Sequence, residues 1–298
     1  MTTDPRRLWA RWIPVAVSLA LLAWALSRIE LSGLAALLLG ADPLLLMAAS
    51  LLGPFQVLVA AERWRLATLG AGYAMSRRDA VREYALSHLL NQVLPGGVVG
   101  DVSRVWRARH QGGEIAVGAA LVERGVDLAV HLVFVIAGLV AWTAVHPGHT
   151  SPPGALPAAV VLLLLLTALP VLPPRLAPGG DIVRRCLRGG YGAGQAGLSA
   201  VLTGSILFGF LLCGEALDLP VRPLVLTAIP LLLLAIRVPV SVGGWGLREA
   251  TAIVLLPTLG WTEEQALALT ATFGLTVMLG ALPGAVVIVS PPEDACTE

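Results

Sequence analysis

The chain has 298 residues, of which 56% are hydrophobic and only 13% charged, with a mean hydropathy of +0.81. A soluble domain carries about 25% charged residues, so this composition excludes an ordinary soluble globular protein and points to an all-α, polytopic helical membrane protein. The net charge of +1 leaves no basic footprint for nucleic acid, and all 20 basic residues are Arg.

At the N-terminus, Arg6, Arg7 and Arg11 precede the apolar run 12–26. That pattern also begins a signal peptide, but many further apolar runs follow, so it reads as a retained first transmembrane helix. Apolar windows of about 20 residues mark spans. They place helices at roughly 12–28, 43–62, 116–143, 155–173, 196–217, 223–240, 246–259 and 265–289, about eight in all. The segment 79–94 is more polar, with Arg82, Glu83, His88, Asn91 and Gln92 among its apolar residues. No soluble domain is legible, so residues 1–298 read as one integral membrane domain. Cys186, Cys213 and Cys296 are scattered, with neither metal-ligand nor disulfide spacing.

Arginine asymmetry sets the orientation. Basic stretches lie at the N-terminus, at 63–82, at 104–109 and at 175–188, while 29–42, 146–154 and 218–222 are almost free of Arg. The alternation expects both termini in the cytoplasm of a multi-pass protein of the cytoplasmic (cell) membrane. The segment 79–94 breaks it, because both flanks are basic. Either this segment enters the bilayer and returns at Pro95-Gly96-Gly97, as a re-entrant helix, or it lies on the cytoplasmic surface as an amphipathic helix.

Two glycine-rich loops punctuate the apolar sequence. The first reads Leu94-Pro95-Gly96-Gly97-Val98-Val99-Gly100-Asp101-Val102-Ser103-Arg104, the second Pro239-Val240-Ser241-Val242-Gly243-Gly244-Trp245-Gly246-Leu247-Arg248-Glu249. Charge at membrane depth costs about 3 kcal/mol per residue on insertion scales, and non-helical backbone is tolerated there only inside protein or along a wet cavity. Two ordinary cytosolic loops are the plainer alternative. The Gly-Gly pairs lie 147 residues apart, close to half the chain. This suggests related halves, 1–149 and 150–298, in the manner of inverted repeats with broken helices.

The charged candidates follow from spacing. Asp101 and Arg104, three apart, share a helix face if a helix starts at the first loop. Arg104 then grips a phosphate and Asp101 orients it or meets a cationic headgroup, or the two form only a local ion pair with Asp101 as a cap. Glu123 and Asp127 are spaced i, i+4, and Arg124 stands i+3 from Asp127. They either lie inside the membrane or mark the interfacial start of a helix at Asp127. Arg248 and Glu249 follow the second loop. Glu62 and Arg63 read as an interfacial pair closing the second span, Glu215 as a snorkelling residue, and His131 as a hydrogen-bonded core residue before a proton relay. No G-x-S-x-G, H-E-x-x-H or G-x-x-x-x-G-K-[ST] pattern occurs, so no catalytic residue, metal or cofactor is expected.

With these residues located, the chain resembles the lysylphosphatidylglycerol synthase transmembrane family, also called flippase-like domain proteins. The matching features are Glu62-Arg63, Asn91-x-x-Leu94-Pro95-Gly96-Gly97-x-x-Gly100-Asp101-x-x-Arg104, Glu123-Arg124-x-x-Asp127 and Gly243-Gly244-x-Gly246-x-Arg248-Glu249. The resemblance implies lipid transport, the movement of a lipid headgroup across the bilayer. The expected headgroup contacts are Gly96, Gly97, Asp101, Arg104, Glu123, Arg124, Asp127, Gly243, Gly244, Arg248 and Glu249. The expected partners are membrane lipids and a lipid-modifying enzyme. The alternatives are a membrane-embedded lipid-modifying transferase and a non-catalytic partner of such an enzyme.

Overall fold

The computed structural model describes residues 5–95, 99–109, 113–168, 180–237 and 240–289, and among these the regular structure is entirely helical. In chain order the helices are α1 (Pro5–Ser27), α2 (Leu31–Leu39), α3 (Pro43–Ala71), α4 (Arg77–Val93), α5 (Val99–Ala108), α6 (Gly113–Val145) and α7 (Ala155–Ala168). There follow α8 (Gly180–Leu187), α9 (Tyr191–Ala216), α10 (Arg222–Leu226), α11 (Ala228–Ile236), α12 (Leu247–Leu255), α13 (Glu263–Ala281) and α14 (Gly284–Val289). Local chemistry sets several ends. Asp42 caps α3 by accepting from the Leu44 amide at 2.8 Å, with Pro43 in the first turn where no amide is needed. Gly72, at φ +101°, stops it. Ser76 caps α4 through the Asp79 amide, and Thr262 with Gln265 forms a reciprocal cap on α13.

Four helices are long and apolar enough to cross a membrane: Pro43–Ala71, Gly113–Trp142, Tyr191–Ala216 and Glu263–Val287. The pair Trp12–Ser27 and Leu31–Leu39, bent by 97°, makes a fifth candidate. The count of about eight is therefore not confirmed. The 223–240 run is split at Thr227, because Pro230 has no amide to give the Leu226 carbonyl and its ring crowds it. Residues 246–259 supply only nine α-helical residues before a short 3-10 turn containing Pro257. Of 155–173, the described part is a 14-residue helix. The stretch 29–42, read as a connection, contains α2.

The interior has an apolar core, but the surface is apolar too and several charges are buried, unlike a soluble protein. Leu39, Leu44, Leu51, Leu121, Val140, Leu164, Val254 and Val286 are all exposed, while Arg63, Arg104, Glu123, Asp127, Arg248 and Glu249 are buried. Lipid solvates the former and the bundle the latter. Inside, α3 is the central helix, packed by α4, α6, α8, α9 and α13. It meets α13 glycine to glycine: a Cβ on Gly53 would lie 2.4 Å from the Gly280 Cα. Small residues let helix backbones touch where no hydrophobic effect drives them together. Phe210 of α9 stacks on Phe273 of α13 with ring centroids 3.8 Å apart.

Helices α4 and α5 form an antiparallel hairpin. Arg107 pairs with Glu83 at 2.5 Å at its base, and Ser87 reaches Asp101 at 3.4 Å nearer its tip. The Gly100 amide donates to Asn91 Oδ1 at 2.7 Å, and a Cβ there would fall 1.9 Å from the Ser87 carbonyl oxygen. The chain thus goes out and comes back across the first glycine loop. Gly96 and Gly97 themselves lie outside the described residues. The second loop joins α11 to α12, which also pack on each other. Its Gly243, Gly244 and Gly246 hold φ values of +54°, +82° and +83°, outside right-handed helix.

Candidate functional site

The site grows from α3 and α6. Helix α3 does not close at Glu62-Arg63, as expected, but continues to Ala71. Trp64, Leu66, Ala67 and Leu69 carry its apolar character onward, so Arg63 sits mid-helix and fully buried. Glu62, the adjacent residue, points elsewhere and pairs with Arg65 at 2.5 Å. On α6, the i, i+4 spacing puts Glu123 and Asp127 on one buried face, as read, and that face meets Arg63. Arg63 lies 3.0 Å from Asp127 and 3.9 Å from Glu123 and also donates to the Glu123 carbonyl at 3.0 Å.

Arg104 completes the cluster from α5. Its guanidinium lies 3.0 Å from Glu123 and 3.2 Å from Asp101. Trp64 and Tyr84 face it at 4.1 and 4.5 Å from their ring centroids. Two aromatic faces and two carboxylates make a cage for a desolvated cation. Tyr84 also donates its hydroxyl to Glu123 at 3.2 Å. Arg124 turns away from Asp127, its expected neighbour, and bonds Asp101 instead. Asp127 receives Arg237, from the end of α11, at 2.5 Å.

The result is an alternating ladder: Arg124, Asp101, Arg104, Glu123, Arg63, Asp127, Arg237. Every carboxylate stands between two arginines. Both ends of the ladder, Arg124 and Arg237, line the same cavity of about 270 Å³. Its other walls include Gln56, Tyr84, His88, Asn91, Gln92, Asp127, Gly243 and Gly244. The second loop meets the end of α4 here, since a Cβ on Gly243 would lie 2.8 Å from the Gln92 carbonyl oxygen.

Arg248 and Glu249 form a separate buried pair outside that lining. Arg248 reaches Glu249 Oε1 at 2.6 and 2.9 Å, and Glu249 Oε2 accepts the Gly246 amide at 2.7 Å. Trp245 and Phe273 flank the guanidinium. The nearby Ser18 hydroxyl on α1 accepts a hydrogen bond from the Val242 amide at 2.8 Å, which ties the second loop to the first helix. His131 is buried and donates to the Pro230 carbonyl at 2.9 Å, a core role that bridges α6 to the α11 break.

Of the sequence candidates, then, Asp101, Arg104, Glu123, Arg124 and Asp127 come together. Gly243 and Gly244 reach the cavity. Arg248 and Glu249 stay apart, and Arg104 is sealed within the ladder rather than open to the cavity. Sequence reading missed Arg63, Tyr84, His88 and Arg237. For Arg63 a signal existed, because apolar residues resume after it. For Arg237 the signal was its place at the end of an apolar run just before the second loop, but nothing local named its partner Asp127, 110 residues away.

Spanning helices with exposed apolar flanks, a buried ion ladder and a polar cavity define a multi-pass helical membrane protein with an intramembrane polar site. The family model for the lysylphosphatidylglycerol synthase TM region matches residues 11–284, and the chain belongs to that family. This places it among membrane proteins of lipid-related function. No curated protein and no solved structure matches the chain.

Proposed function

We propose that the protein is a flippase, moving a phospholipid or lipid-linked headgroup across the cytoplasmic membrane, with both of its termini in the cytoplasm. The observation that carries this reading is the charged cavity among the spanning helices, walled by the second glycine loop and the tip of the α4–α5 hairpin. Small-molecule sites run about 300–1,000 Å³, so a cavity near the lower end suits a headgroup while the acyl chains stay in lipid. The hairpin, with Arg77 and Arg109 at its open end, acts as a re-entrant element. Arg124 and Arg237 are the cations that meet the headgroup, a role first expected of Arg104 and Arg248. Without a nucleotide-binding motif, the driving force is a gradient, the membrane potential or mass action.

The test is reconstitution of the pure protein in liposomes carrying headgroup-varied fluorescent lipids, with a membrane-impermeant quencher outside. Transport exposes inner-leaflet dye to the quencher at a rate that scales with protein content and drops in Arg237→Gln. A rate equal to that of empty liposomes for every headgroup removes the proposal.

A further inference from the structure

The second glycine loop belongs to a hairpin of its own. From one end of the bundle, α10 and α11 follow α6 inward. A Cβ on Gly138 would lie 2.5 Å from the Leu226 carbonyl oxygen, His131 meets the Pro230 carbonyl, and Asp127 meets Arg237. The chain turns at 243–246, and α12 returns along α1, with Gly246 against Ser18 and Ile253 clustered with Ala25. The α4–α5 hairpin enters from the other end. There Gly70, late in α3, and Gly118, early in α6, both abut α8. The start of α3 instead meets the end of α9, where the Asp42 amide donates to the Ala216 carbonyl at 2.8 Å. Helices α3 and α9 are therefore antiparallel, Leu66 beside Gly194 and Leu52 beside Gly209.

Helix starts recur at a shift of 148 to 150 residues: Pro43 to Tyr191, Val99 to Leu247 and Gly113 to Glu263. The shift of 147 between the Gly-Gly pairs carries Arg63 to Phe210, Glu123 to Thr270 and Asp127 to Gly274. Where ion pairs join α3 to α6, the stack of Phe210 on Phe273 joins α9 to α13. We propose that 43–145 and 191–281 are two copies of one unit in opposite senses, and that their hairpins gate the cavity, one at each end. Each hairpin is latched to α6 by its own rungs of the ladder. Asp101–Arg124 and Arg104–Glu123 hold α4–α5, and Arg237–Asp127 holds α11–α12.

Arg63 of α3 stands between the latches, 3.0 Å from Asp127 and 3.9 Å from Glu123. When α5 leaves, Glu123 keeps Arg63 and Asp101 keeps Arg104; when α11 leaves, Asp127 keeps Arg63. Neither step strands a buried carboxylate without a cation, the costly outcome for an ion pair in an apolar interior. With four arginines to three carboxylates the ladder carries +1, and the guanidinium released, Arg124 or Arg237, already borders the cavity. One latch can thus open while the other stays shut, so a headgroup passes without a continuous pore.

This inference rests on the flippase reading for what passes the gates, but its test reads access and not lipid movement. Ile206→Cys, in the cavity wall on α9 and outside both hairpins, is placed in full-length protein whose Cys186, Cys213 and Cys296 are alanine. Right-side-out and inverted membrane vesicles are treated with a membrane-impermeant thiol reagent. Single cysteines at 109 and 258, at the bases of the two hairpins, react from opposite sides. With the ladder intact, Ile206→Cys reacts slowly from both sides. Arg124→Gln speeds that reaction about tenfold from the side of position 109 only, and Asp101→Asn, which opens the same latch from the hairpin, matches it. Arg237→Gln speeds it from the side of position 258 only. Labelling of 109 and 258 from the same side overturns the proposal, as does access to Ile206→Cys from one side or neither with the ladder intact. These two readouts decide even if a ladder variant fails to fold. A variant that raises the rate from both sides, from the wrong side or from neither also overturns it. Sided access without dye movement in liposomes sinks the transport reading and leaves the gates standing; dye movement without sided access does the reverse.

Discussion

Glu123→Gln removes the middle rung of the ladder while keeping its shape. Glu123 is wholly buried, with Arg104 at 3.0 Å and Arg63 at 3.9 Å. At an effective dielectric constant of about 20, those two attractions come to about 5.5 and about 4.3 kcal/mol. Against this gross gain stands the cost of desolvating the carboxylate, several kcal/mol per ion in real proteins. The amide also leaves two buried arginines with fewer anions, taking the cluster from +1 to +2. Breaking a buried pair from one side typically costs about 3–5 kcal/mol, and that loss is expected here. The assay is thermal unfolding of the detergent-solubilised protein, followed by size-exclusion fluorescence. Arg104→Met in the Glu123→Gln background returns the net charge to +1 and keeps an apolar stem between Trp64 and Tyr84, so the double variant should be more stable than Glu123→Gln alone. A Glu123→Gln variant as stable as the parent, or one made worse by Arg104→Met to the full sum of the single effects, would refute a coupled ladder.

Gly100→Ala puts a methyl group 1.9 Å from a backbone oxygen of α4, which no rotamer change relieves. It should open the hairpin at a cost of about 1–3 kcal/mol, read as a lower melting temperature, whereas Gly125→Ala, with open space around it, should not. Gly274→Ala places its Cβ 2.0 Å from the Arg248 guanidinium, so the Arg248–Glu249 pair must shift; unchanged stability there would mean that α12 and α13 pack more loosely than described. Single cysteines at positions 77 and 109 should label from the same side of the membrane, and opposite sidedness removes the re-entrant hairpin. His146, beyond the end of α6 and hydrogen-bonded to Thr227 at 2.7 Å, is held below its ordinary pKa of 6.5 by burial and by His149. The fold favours the neutral ring, so stability should decline as pH falls through about 6.5 and level off below the depressed midpoint, whereas a His146 resonance titrating above 6.5 would contradict this.

Much of this protein was legible in one dimension. Composition alone gives the solvent, because a chain with 13% charge and long apolar runs cannot stay in water as a monomeric globule. The i, i+4 spacing of Glu123 and Asp127 dictates a shared face, since helical geometry is local. The Pro and Gly residues of the two loops dictate that helices end there. Local periodicity has no access, however, to which face meets which. Glu62 and Arg63 are adjacent in sequence, yet one pairs near the surface with Arg65 and the other is buried against a helix 60 residues away. Arg124 takes Asp101 rather than the nearer-spaced Asp127, because the α4–α5 hairpin, closed at Gly100, carries Asp101 to it. Asp127 is left for Arg237, which follows directly on the end of α11. Sequence thus determined the medium, the helix ends and the set of charges to be buried. The tertiary packing, with Gly100 closing α5 on Ser87 of α4, decided the pairing of Asp101, because the energy of a buried charge depends on the few ångströms to its partner.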